Sequence, residues 1–178
     1  MEAIYREEWN TLREKAVSQL RQGSRSALPR ANRLVQLLVL PSFESAFGYE
    51  IRQDQKAENQ YFVIHSLWRM DIDLSKFRTP HIRLQHPHTL SPTIEIRQLP
   101  LDPDWAVATI GTLKQLMIPA MVKTECIGLD STSYEIAFDS GNVYARYSWW
   151  EEPPSGWLPL HDWLLETVDV LESLRNTA

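Results

Sequence analysis

One stretch of this chain restricts its architecture more than any other. Leu34-Val35-Gln36-Leu37-Leu38-Val39-Leu40 is apolar at both odd and even positions, so as an extended strand it has two faces to remove from water. A strand of this kind needs cover on both sides, and Pro41 stops it. The run is far shorter than the roughly 20 apolar residues needed to cross a bilayer as a helix. The amino terminus carries Glu2, Glu7 and Glu8 where a secretory signal would need a basic start and an apolar run. With a single cysteine, Cys126, no internal disulfide can form, and the expected location is the reducing cytoplasm. A chain of 178 residues fits one domain, 1–178, that needs no metal or disulfide to hold a core.

The rest of the chain supplies the partners for that strand. Tyr5, Trp9, Leu12, Ala16 and Leu20 recur at helical spacing, and Gly23 is a fitting stop. Phe47, Tyr49 and Ile51 alternate with Gly48, Glu50 and Arg52, and a polar turn leads to a long strand bearing Phe62, Ile64, Trp68, Met70 and Ile72. Centring that turn on Lys56–Ala57 predicts Ile51 opposite Phe62, Tyr49 opposite Ile64, Arg52 opposite Tyr61 and Glu50 opposite Val63. Residues 73–92 read as irregular, and Thr93 to Arg97 as a strand. Asp102 and Pro103 open a helix as N-cap and first residue, running to about Leu116. A second hairpin centred on Ser140–Gly141 would pair Phe138 with Val143, Ile136 with Ala145, Tyr134 with Tyr147 and Glu135 with Arg146. From Pro159, Leu160, Trp163, Leu164, Leu171 and Leu174 form the buried stripe of a last helix, with Glu166, Asp169 and Glu172 outward. The expected fold is α+β: a largely antiparallel sheet of about six strands, with N-terminal, central and C-terminal helices packed on it.

Net charge is −5, which disfavours nucleic acid as a partner. The charge is uneven. Residues 1–33 carry a surplus of cations, whereas residues 139–178 carry Asp139, Glu151, Glu152, Asp162, Glu166, Asp169 and Glu172 against Arg146 and Arg175. Two consequences are open: the two ends pack near each other with complementary fields, or the acidic end docks a basic partner. The first is the commoner outcome.

The carboxyl-terminal third contains Gly128-Leu129-Asp130-Ser131, then Tyr147-Ser148-Trp149-Trp150, then Pro153-Pro154-Ser155-Gly156-Trp157-Leu158-Pro159-Leu160. This resembles a pattern in uncharacterised small bacterial proteins: a Gly-Leu-Asp-Gly-type turn, a hairpin, an aromatic pair and a Trp-Pro-Leu helix start. Ser131 stands in place of the second glycine. The resemblance covers about a quarter of the chain and implies a bacterial protein and a shared fold element, without an activity.

Candidate chemistry is sparse. His81, His86 and His88 share one irregular stretch but lack a carboxylate or cysteine at metal-ligand spacing, so solvated loop histidines are the preferred account and no cofactor is expected. Cys126 beside Glu125 reads as a buried, inert thiol. Asp102 and Asp104 belong to the helix start, and Asp71 and Asp73 to the polar end of a strand. His65 lies mid-strand with Arg69 further along the same face, and the predicted register adds Glu50 and Arg52. Such a group binds an anion or moves a proton if it converges, and is otherwise the solvated side of an antiparallel sheet. Trp149 falls on the apolar face, which turns Trp150 outward as a contact candidate. No phosphate loop, nucleophile elbow or zinc-protease helix is present. The expected function is therefore a non-enzymatic module, immunity- or antitoxin-like, that binds another protein and no membrane. The alternative is an enzyme or small-ligand binder using the His65/Arg69 face.

Overall fold

The run at 34–40 lies at the centre of a six-stranded antiparallel sheet, order β4-β3-β2-β1-β5-β6. The computed structural model describes residues 2–23, 31–57, 59–79, 90–122, 130–139 and 144–177, with side chains from residue 6. The elements are α1 (Glu2–Gln22), β1 (Ala31–Pro41), β2 (Phe47–Asp54), β3 (Tyr61–Trp68), α2 (Met70–Arg78), β4 (Ile94–Leu101), α3 (Pro103–Gln115), β5 (Thr132–Asp139), β6 (Tyr144–Trp150) and α4 (Leu158–Thr177), the last entered through a 3-10 turn, Ser155–Trp157. This is the α+β antiparallel architecture the sequence predicts. No described helix is long and apolar enough to cross a membrane.

Both sides of β1 are covered. Val35 and Leu37 join a core with Tyr49, Ile51, Val63 and Ile136 that is closed by α3 (Ala106, Ile110, Leu113) and α4 (Leu160, Trp163, Leu164, Leu171). Leu38 and Leu40 join Ala46 and Trp68 beneath Ala16 and Leu20 of α1. Trp9 of α1 meets Phe77 of α2 edge-on, ring centroids 5.5 Å apart. The two terminal helices thus occupy opposite faces, so their unequal charges do not neutralise each other by packing together.

The first hairpin is shifted by one residue from its expected register: Ile51 pairs with Val63, Tyr49 with His65, Arg52 with Phe62 and Glu50 with Ile64. The turn explains the shift. Asp54 N–H donates to Gln60 O at 3.0 Å and Gln60 N–H to Ala57 O at 2.9 Å, so the loop is centred on Ala57 instead of between Lys56 and Ala57. A one-residue shift moves every side chain of one strand to the other face. Here both faces of β3 are apolar and buried, so the hydrophobic pattern did not select between the registers.

The second hairpin differs from its expected register by two residues, pairing Ile136 with Tyr147, Phe138 with Ala145, Tyr134 with Trp149 and Ala137 with Arg146. Since the side-chain period is two, the faces survive and Trp149 is in the core as expected. The expected turn at Ser140–Gly141 lies outside the described residues.

Two elements depart further. β3 ends at Trp68, and Met70 and Ile72 start a helix, α2, where strand and then irregular chain were expected. Asp71 and Asp73 in its first turn and Lys76 and Arg78 in its last suit the helix dipole. β4 runs past Arg97 through Pro100 to Leu101, which an edge strand tolerates because an N–H on its outer side has no ladder partner to lose. The start of α3 matches expectation, with Asp102 Oδ1 accepting from Trp105 N–H at 2.8 Å.

Candidate functional site

The register of the first hairpin divides the four polar residues expected to converge. Glu50 and Arg52 face α1, and His65 faces the α3/α4 core with Tyr49 and Ile51. All three are buried, none on a solvated sheet face.

On the α1 side, Arg52 donates to Glu50 Oε2 through Nε at 2.8 Å and Nη2 at 2.5 Å. Gln36 Nε2 donates to Leu20 O at 2.9 Å, to Arg21 O at 3.2 Å and to Glu50 Oε1 at 3.4 Å. It thereby helps to cap the end of α1, where Leu20 O also takes the Gly23 N–H at 3.2 Å. Gly23 follows with φ +66, and a Cβ there would lie 1.6 Å from Glu50 Oε1, so only glycine lets the helix end this close to the buried carboxylate. Arg21 clasps Glu135 with Nε at 3.0 Å and 3.1 Å from its two oxygens and a further Nη2 contact, and this hydrogen bonding raises the guanidinium's pKa further. The arrangement is two self-neutralised pairs anchoring α1, and its chemistry is structural.

On the other side, Tyr49 donates its hydroxyl to Glu172 Oε1 at 2.5 Å, and Arg175 Nη2 holds Glu172 Oε2 at 2.5 Å. Glu172 therefore points at the sheet instead of outward. The Tyr49 and His65 rings lie 4.9 Å apart. The His65 Nε2 is buried without a hydrogen-bond partner among the described residues. Burial, then the nearby Arg175 charge, push the imidazole down to about 4, so it is neutral near pH 7. Burial and the bond to Glu172 raise Tyr49 above its ordinary range.

Arg69 reaches the same side of the sheet as His65. It holds both oxygens of Asp71 at 3.0 Å and 2.8 Å and Glu95 Oε2 at 3.2 Å, while Arg97 Nε takes the other Glu95 oxygen at 2.7 Å. The Arg69 guanidinium holds Asp71 below the usual carboxylate range, and Arg97 and Arg69 do the same to Glu95. Three arginines (69, 97, 175) thus meet three carboxylates (71, 95, 172), which leaves no surplus charge for an anion.

Asp73 is not the polar end of a strand but a buried acceptor at the start of α2. It takes Trp68 Nε1–H at 2.8 Å, Thr93 N–H at 2.7 Å, Thr93 Oγ1–H at 2.5 Å and Lys76 Nζ at 3.3 Å. Burial pushes its carboxyl up, but these hydrogen bonds outweigh that and hold it low. Trp150 is partly buried, on the face opposite Trp149, and its indole N–H has no partner among the described residues. Trp149 instead packs on Trp157 and donates to His161 Nδ1 at 3.1 Å. No group of three metal-ligating side chains occurs among the described residues, and His81, His86, His88 and Cys126 lie outside them.

A further set of charges lies on the outer surface of α4. Asp162, Glu166 and Asp169 are exposed at spacings of four and three, and form no ion pair among the described residues. Leu158, Leu165 and Val170 are exposed among them, at 48%, 39% and 44%. No protein-family model, curated protein or solved structure matches this chain.

Proposed function

We propose that this chain is a non-enzymatic, cytoplasmic protein-binding module of bacterial origin, immunity- or antitoxin-like, whose docking face is the outer surface of α4. The observation that carries this is the exposed set Asp162, Glu166 and Asp169 interleaved with Leu158, Leu165 and Val170. Acids at helical spacing with apolar contacts between them complement a basic, amphipathic surface, which points to a protein partner of opposite charge. The polar groups elsewhere in the sheet neutralise one another, so they offer a ligand little that is not already engaged.

Charge reversal separates binding from folding. Asp162→Lys/Glu166→Lys/Asp169→Lys should leave stability within about 1.5 kcal/mol, because each of the three sites is exposed. In parallel affinity captures from the source organism, wild type should retain a protein that the triple variant loses and that high salt releases. The same retained proteins on both baits, at low and high salt, would contradict the proposal.

A further inference from the structure

We propose that the end of α4 is an acid-operated latch, held by the Tyr49–Glu172–Arg175 clasp over the buried His65, whose Nε2 has no partner among the described residues. The last fully buried residue of α4 is Leu171; beyond it Leu174 packs on the core only in part, and this clasp is the described polar tie between helix and sheet. His65 is faced by Arg97, its pairing partner in β4, by Glu95 on the same strand, and by Glu172 and Arg175 from α4. From β2 it is faced by the uncharged rings of Phe47 and Tyr49. Two cations balance two carboxylates around a neutral ring. A proton on its Nε2 adds a charge that has neither solvent nor a partner among the described residues while the latch is closed.

Opening admits water to His65, so the open form takes up a proton that the closed form excludes. The sign follows. The closed-state imidazole sits at about 4 and the ordinary value is 6.5, so acidification between these values favours the open form. The open population grows by up to about tenfold per pH unit, or roughly two orders of magnitude between pH 7 and pH 4. Asp169 and Val170 lie less than one turn before Glu172, so opening would also disturb the docking face. That last consequence rests on the proposed function, whereas the latch itself is read without a partner.

Native-state amide exchange at residues 168–177, followed from pH 7 to pH 4, tests the latch. Wild-type protection factors there should fall by up to two orders of magnitude while β1 and β5 keep theirs. His65→Gln and His65→Phe should both flatten the dependence, and if one fails to fold the other serves. Tyr49→Phe should lower protection at every pH and keep the slope. Loss of protection in α4 and β1 together, or an unchanged slope in a folded His65 variant, would overturn the proposal.

Discussion

Replacing Arg52 alone by methionine is expected to destabilise the protein by about 3–5 kcal/mol, and replacing Glu50 in the same molecule is expected to recover most of that loss. The asymmetry follows from where the pair sits. Both side chains are buried under the end of α1, and Arg52 gives both its described hydrogen bonds to one Glu50 oxygen. Without Arg52, the partner left to Glu50 among the described residues is Gln36, at 3.4 Å, and its carboxylate stays packed beneath Gly23. Removing one partner strands a charge in a site of low polarity. In Glu50→Leu/Arg52→Met, volume is nearly kept and no charge remains, so the double variant should lie within about 2 kcal/mol of wild type. Denaturant unfolding followed by tryptophan fluorescence reads both as midpoint shifts at constant slope. Equal losses in the single and double variants would mean that the pair acts through shape and not through charge.

Asp73→Ala is expected to cost a similar amount, about 3–5 kcal/mol, for a different reason. This carboxylate is the shared acceptor for the Trp68 indole, the Thr93 amide and hydroxyl, and Lys76, so it ties the end of β3, the start of α2 and the entry to β4. Alanine leaves buried donors unpaired. Asp73→Asn keeps one acceptor oxygen but turns an amide group toward donors, so it should lose less than alanine and more than a surface change. The sign with pH is fixed by the lowered carboxyl of Asp73. Its contribution is present above the unfolded-state value and is lost as pH falls through the folded one. The alanine variant should therefore lose less stability than wild type on acidification.

The same physics explains what the sequence disclosed. The two-sided cover of β1, the capped start of α3 and the Gly23 stop each rest on a local requirement with one solution, and each is found. The hairpin register was not legible, because Phe62, Ile64 and Trp68 on one side of β3 are matched by Val63 and Leu67 on the other. Pattern alone cannot orient a strand buried on both faces. The decisive feature was a five-residue loop closed by Asp54 and Gln60. That register separated His65 from Glu50 and Arg52 and dissolved the polar cluster expected there. α2 was hidden because Met70 and Ile72 continue an alternating pattern, although acids in its first turn and bases in its last were a readable helical signal. The role of Asp73 depends on Thr93, twenty residues away, and no local spacing encodes it. The outward acids of α4 were visible from periodicity, except that Glu172 turns inward to Tyr49.

The docking face is tested most directly by amide chemical-shift mapping with a synthetic amphipathic Lys/Leu helix as probe, at low and high salt. The account predicts salt-sensitive shifts concentrated on Asp162, Leu165, Glu166, Asp169 and Val170, and their loss in the charge-reversed variant. Shifts centred on Arg69, Glu95 and Arg97, with α4 unperturbed, would contradict it.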